Sequence, residues 1–240
     1  TGVGGLVAHF PFDGNLTDSV DGDSGVPTMT PQFDAGRFGT ALWFDGEDDK
    51  LTISAASLPQ GNAARTLSLW AKDAAPSGLD WKFAANWGTA EESKAFGLIR
   101  GDSGDGQPPG RWYGYWHSSP DVDANATVSS NWTHFSLSHD GVAMRVYVDG
   151  ELGGTLPEVT LQTVGSDFVL GASLMSGQPM LWKGWLDDVR VYDRALSAEE
   201  ISIVMDGGDG AEDEGEGDGG EDTGVGGLVA HFPFDGNLTD

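Results

Sequence analysis

The chain has 240 residues, 38 acidic against 12 basic, for a formal charge of −26. So negative a surface repels phosphate and anionic headgroups, which argues against nucleic acid or a membrane surface as partner. Its 37 Gly, 11 Pro, nine Trp and 38% apolar residues suit a many-turned fold with a sizeable core, while the absence of Cys removes disulfides and no apolar run is long enough to span a bilayer.

Leu6–Phe12 (LVAHFPF) alternates loosely and reads as an opening strand. It runs into Asp13-Gly-Asn15-Leu-Thr-Asp18, where oxygen donors stand at the first, third and sixth positions. That spacing lets a short loop wrap a hard cation such as Ca2+. The alternative is an Asx turn bonded to its own backbone. Ala41–Phe44 and Leu51–Ile53 flank DGEDDK, whose Asp45, Asp48 and Asp49 form a weaker metal candidate because DG and DD are ordinary turn residues.

Strands are next expected at Thr66–Ala71 (TLSLWA), Phe96–Arg100 and Arg111–His117 (RWYGYWH). Trp81, Trp87, Trp112, Tyr113, Tyr115 and Trp116 crowd this stretch, and sugar binding needs exposed aromatic platforms beside polar groups. Alternation puts Arg111, Tyr113 and Tyr115 on one face and Trp112 and Trp116 on the other, so one set faces the core and the other is open. The candidate ligand residues are therefore Trp87, Arg111, Tyr113, Tyr115 and Trp116, with core packing as the competing role for each.

Trp132–His139 precedes Ala143–Val148, which turns at Asp149-Gly150 into Glu151–Leu156, a DG hairpin between alternating runs. Phe168–Gly171 and Leu186–Tyr192 close the set. Ser197-Ala-Glu-Glu200 is a capping box that opens one short helix, with Ile201, Val204 and Met205 as its apolar face and Gly207 and Gly208 as its stop. About a dozen short strands and one terminal helix predict an all-β, two-sheet antiparallel β-sandwich.

The sequence TGVGGLVAHFPFDGNLTD at Thr1–Asp18 returns unchanged at Thr223–Asp240. The chain therefore reads as an excised piece of a tandem array. Residues 1–205 are the module, 206–222 a linker, and 223–240 the first strand of the next repeat. The linker holds nine acidic residues, seven Gly and Ala211, so it cannot bury apolar area and is expected to be extended unless calcium orders it. The second copy, with Leu228, His231, Phe232 and Phe234, is too apolar to stay unpaired. It is expected to add to a sheet, in its own chain or, favoured by charge repulsion across the linker, in a neighbouring copy.

Four segments resemble the laminin-G-like, concanavalin A-like jelly-roll domains of bacterial surface and secreted proteins. They are Leu6–Asp18, Ala41–Ile53 with its F-D-G-x-D-D hairpin, Trp132–Leu152 ending in Y-V-D-G, and Gly184–Ile201 (GWLDDVRVYDRALSAEEI). The resemblance implies a jelly roll, and in such relatives a structural calcium ties the opening turn to an Asp of the closing strand, here matched by Asp187. Glycosidase relatives carry an alternating E-x-D-x-x-E strand that this sequence lacks. The five His show no metal-pair spacing, and no nucleophile elbow or phosphate loop occurs. The expected function is a non-catalytic, calcium-stabilised repeat module of a secreted or surface-displayed adhesin or fibre, partnered by neighbouring repeats and by a glycan or cell-surface protein. A carbohydrate-binding lectin module is the alternative, and a glycoside hydrolase a more distant one.

Overall fold

The computed structural model describes residues 3–76, 80–101 and 110–208. In chain order its strands are β1 (Leu6–Phe10), β2 (Val26–Pro27), β3 (Phe33–Ala35), β4 (Thr40–Asp45), β5 (Leu51–Ser54), β6 (Arg65–Asp73), β7 (Lys82–Gly88) and β8 (Ala95–Gly101). There follow β9 (Arg111–Tyr115), β10 (Val122–Thr127), β11 (Thr133–His139), β12 (Met144–Val148), β13 (Glu151–Leu156), β14 (Asp167–Leu170), β15 (Lys183–Tyr192) and one helix, α1 (Ala198–Met205). All pair antiparallel in two sheets. One has the order β13-β12-β11-β6-β15-β4-β3 with β1 also on β15, and the other β10-β9-β8-β7-β14-β5-β2.

Every strand expected from the sequence overlaps an observed one, and β2, β3, β7 and β10 are additional. Central β7 is buried on both faces, so FAANWG has no alternation to read. The Asp149-Gly150 turn takes positive φ at both residues, +47° and +83°, as a tight hairpin turn demands. Ser197 caps α1 in the expected capping box. Arg194 then fixes the helix to the end of β15 through a two-pronged pair with Glu200 at 2.8 and 2.7 Å.

Alternation along β6 turns Leu67, Leu69 and Ala71 into the space between the sheets, where they meet Trp87, Phe96, Leu98, Trp112 and Phe168. Both ends of this inward row are charged. At one end the Arg65 guanidinium donates to the carbonyls of Ala63, Pro59 and Gly61 at 2.8–2.9 Å and lies over the Trp87 and Phe96 rings. At the other, Asp73 reaches across the sandwich to Arg100 of β8, at 2.9 Å, with both side chains 1% exposed.

The outer face of the β6 sheet carries Thr66, Ser68, Trp70, His134 and Ser136, polar enough to read as solvated, yet all are buried. Helix α1 covers part of it by packing Ile201 and Val204 with Tyr147, Tyr192 and Val3. The turn before β4 lays Phe38 edge-on against Trp70, 6.4 Å between ring centres. Beneath this cover His134 bonds Ser68 at 2.8 Å, and burial pushes its pKa down to about 3, so it stays neutral. No helix among the described residues is long and apolar enough to cross a membrane. The second copy of the opening segment, with Leu228, His231, Phe232 and Phe234, lies outside the described residues, as does the linker beyond Gly208.

Candidate functional site

At one end of the other sheet, outward alternation on β7, β8 and β9 collects Phe83, Ile99, Tyr113 and Tyr115, all at most 8% exposed. Phe83 meets Tyr115 edge-on at 4.9 Å, and Trp81, just before β7, leans on Tyr113 at 5.6 Å. One wall is the loop after β14, which brings Met175 and Met180 over the sheet. Buried Asn86 of β7 staples that loop: its amide donates to the carbonyls of Val169 and Ala172 at 3.2 and 2.8 Å and accepts from Leu174 N at 3.2 Å. The opposite rim is the turn after β9, with His117, Ser118, Ser119 and Asp121, and Glu92 comes from the β7–β8 turn. Together they enclose an open cavity of about 670 Å³.

The cavity's chemistry is mixed in a specific way. Half-buried Trp81 gives aromatic surface, backed by the edges of Tyr115 and Phe83, while Glu92 and Asp121 give two carboxylates, and no Lys or Arg is among the described lining residues. Burial and the Asp121 charge raise the Tyr115 pKa, and burial lowers that of His117. The phenol therefore stays protonated and pairs with His117 Nδ1, which holds the imidazole at the cavity rim. Aromatic faces that take sugar C–H groups, beside acceptors and donors that take hydroxyls, are what a glycan needs.

Of the expected ligand residues, Tyr115 lines this cavity and Tyr113 supports it from below Trp81. Trp87 needs correction: it is fully buried between Phe96 and Phe168, on the inward side of β7, and is closed to any ligand. Trp116 packs against the core and donates to Pro120 O at 3.0 Å. Arg111 pairs with Asp123 at 2.8 Å and does not line the cavity. Phe83, Glu92, Asp121, Met175 and Met180 went unread because they come from four separated segments. Trp81 stood in the aromatic-rich stretch, but no periodicity marked it out.

The expected metal residues divide. Asp187 and Asp13, from opposite ends of the chain, both reach the turn at residues 36–40. Asp187 Oδ2 accepts from Arg37 N and Phe38 N at 2.6 and 3.0 Å, and Asp13 Oδ1 accepts from Thr40 N at 2.8 Å. A Cβ at Gly36 would stand 2.5 Å from Asp187 Oδ2, so the approach requires glycine. Asp187 Oδ1 is buried without a hydrogen-bond partner, and burial pushes the carboxyl pKa up to about 7. An orphaned oxygen in so costly a position fits a hard cation. Asn15 and Asp18 turn elsewhere: Asn15 Oδ1 accepts from Thr17 N, and Asp18 Oδ1 from His9 N and Val20 N, as local turns do. The carboxylates of Asp45, Asp48 and Asp49 do come together, with ligand atoms all within 4.8 Å, but Asp45 and Asp49 already accept turn amides.

Ser19, His9 and Asp188 form a chain of hydrogen bonds at 3.0 and 2.7 Å. The amides beside it are occupied, Ser19 N by His9 O and Val20 N by Asp18, so no donors are left there to hold an oxyanion. The chain fastens β1 to β15 instead.

A sequence profile of the concanavalin A-like lectin/glucanases superfamily matches residues 45–202. No curated protein matches the chain. Among solved structures, domain 4 of an extracellular arabinanase from Geobacillus stearothermophilus, in complex with arabinotriose, is 23% identical with a TM-score of 0.65, covering 83% of this chain and 98% of that one. The binding domain of Paraclostridial Mosquitocidal Protein 1 is 13% identical, TM-score 0.64, covering 85% of this chain and 52% of that one. A Trypanosoma rangeli sialidase is 18% identical, TM-score 0.62, covering 85% of this chain and 32% of its own. This chain thus spans nearly all of the first but about half and a third of the other two, and at these identities the likeness carries the fold alone.

Proposed function

The chain belongs to the concanavalin A-like lectin/glucanase superfamily, and we propose that within it this module is a carbohydrate-binding module whose ligand sits in the Trp81–Tyr115 cavity. The carrying observation is the open aromatic cavity with two carboxylates and no cation among its described lining residues. Glu92 and Asp121 repel carboxylated or sulfated glycans, so the ligand class is a neutral sugar. The arabinotriose bound by the arabinanase domain supports the same class. On a glycan array, neutral oligosaccharides are expected to bind and their sialylated, uronate or sulfated counterparts to fail. Retention of acidic glycans alone would overturn this assignment.

A hydrolytic reading rests on the same two carboxylates, since glycosidases use such a pair. Release of reducing ends from the bound glycan, lost in Glu92→Gln, would put it in place of the binding reading. The repeated opening segment supports a wider role as one unit of an extracellular adhesin array, in which weak sites gain avidity by multiplicity.

In this reading Ca2+ is held by Asp187 and Asp13 and supplies charge compensation for the buried carboxylate. Binding to the folded state alone is worth about 1–2 kcal/mol at moderate saturation, so EDTA is expected to lower the melting temperature by roughly 2–8 °C. Asp187→Asn is expected to abolish that sensitivity. A melting curve indifferent to EDTA removes calcium from the account.

A further inference from the structure

The Trp81–Tyr115 cavity adjoins a second one. The segment from Ala172 to Leu181 turns Met175 and Met180 towards Trp81 and Tyr115. On its other side lies a cavity of about 460 Å³, lined by Glu47, Asp48 and Lys50 from the turn between β4 and β5 and by Leu174, Ser176 and Leu181 of the segment itself. Met175 lines both cavities, so they meet across its side chain. Each volume lies within the roughly 300–1,000 Å³ that takes one small ligand. Together they have room for more than a single sugar unit.

Both walls of the second cavity are held in place by the fold. Ser173 N donates to Pro179 O and the Ser173 hydroxyl to Gln178 O, each at 2.7 Å, and that hydroxyl accepts from Met175 N at 3.0 Å. Asn86 staples the base of the same segment. Across from it, the Thr28 hydroxyl donates to Asp48 O at 2.9 Å and accepts from Lys50 N at 3.0 Å, while Asp45 Oδ1 accepts from Glu47 N at 2.7 Å. The exposed side chains of Glu47, Asp48, Lys50 and Ser176 therefore stand on fixed backbone, which lowers the ordering cost of binding. Their chemistry complements that of the first cavity. They offer acceptors and donors to hydroxyls, and no aromatic ring is among the described lining residues. Two carboxylates against one ammonium keep this end, too, unfavourable to an acidic glycan.

Resting on the carbohydrate-binding reading above, we propose that the two cavities form one groove for a linear neutral oligosaccharide. One end of the ligand stacks on Trp81, the chain crosses at Met175, and its further units hydrogen-bond to Glu47, Asp48, Lys50 and Ser176. Once the first end is bound, the second cavity meets the rest of the ligand at a high effective concentration, so contacts that are weak alone add to affinity. The groove thereby selects for length, because a disaccharide occupies the first cavity alone.

The test is calorimetric titration of the full chain with arabinan, xylan and mannan fragments, each from disaccharide to hexasaccharide. In the series that binds, the hexasaccharide is expected to bind at least about 10-fold more tightly than the disaccharide, with one ligand per chain. Glu47→Ala combined with Lys50→Ala, both exposed, is expected to bring those two affinities to within about twofold of each other without moving the melting temperature. Trp81→Ala is expected to weaken every length. If affinity is the same at all lengths, or the double variant keeps the full length dependence, the groove is refuted while the Trp81–Tyr115 cavity stands. Two disaccharides per chain with no gain for the hexasaccharide make the cavities separate sites and refute the groove as well. No binding by any neutral series removes the first cavity as a sugar site, and the groove with it.

Discussion

Replacing Arg100 by Leu is expected to destabilise the fold by about 3–5 kcal/mol and to lower the melting temperature by roughly 6–20 °C. Arg100 and Asp73 join the two sheets through the interior, 2.9 Å apart and 1% exposed. Burial works against both charges, pushing the Asp73 pKa up and that of Arg100 down, so each needs the other. Removing the cation strands a carboxylate on the inward row of β6, left with the Ala75 N–H, at 2.6 Å, and the more distant charge of Lys82. Asp73→Leu combined with Arg100→Leu is expected to recover most of the loss, since paired removal leaves no uncompensated charge. Chemical unfolding of the three variants measures it. A single variant within about 1 kcal/mol of the parent would show that the pair is not a strut between the sheets.

The second large effect separates two tryptophans six positions apart in the sequence. Trp87→Ala empties the centre of the sandwich, where the ring packs on Phe96 and Phe168, lies under Arg65 and donates to Pro59 O at 3.2 Å. The expected cost is about 3–5 kcal/mol. Trp81→Ala removes a half-buried ring at the cavity mouth, and its melting temperature is expected to move by no more than about 3 °C. Circular dichroism melts of both variants check the contrast. Equal destabilisation would mean that Trp81 is a core residue and the cavity wall is structural.

These two residues also show where the sequence was legible. Strand alternation placed Trp112 on one face and Tyr113 and Tyr115 on the other, and the structure separates them into the inter-sheet core and the outer cluster. The same rule failed on β7, because a strand buried on both faces has no polar side to mark which way Trp87 points. Thr66, Ser68 and Trp70 are buried by the three-dimensional position of α1 and Phe38, which strand alternation does not reveal. The DG hairpin and the capping box were legible because their chemistry is local. The cavity was not, since Glu92, Asp121 and Met175 meet only after β7, β9 and the Asn86-held loop are assembled. Asp187 and Asp13 were paired through the family resemblance, while the spacing of Asp13, Asn15 and Asp18 alone could not tell a cation loop from the two Asx-type turns that form.

Whether the Trp81–Tyr115 cavity holds a neutral sugar is measured by titration calorimetry of the best neutral oligosaccharide into the parent, Trp81→Ala and Tyr115→Phe. Saturable binding is expected to the parent, with a loss of about 10–100-fold in Trp81→Ala, equivalent to roughly 1.4–2.8 kcal/mol. In Tyr115→Phe the expected loss is smaller, because the ring remains and the bond that orients His117 is gone. Full affinity in Trp81→Ala, or no binding of any neutral glycan to the folded parent, would contradict sugar binding in this cavity.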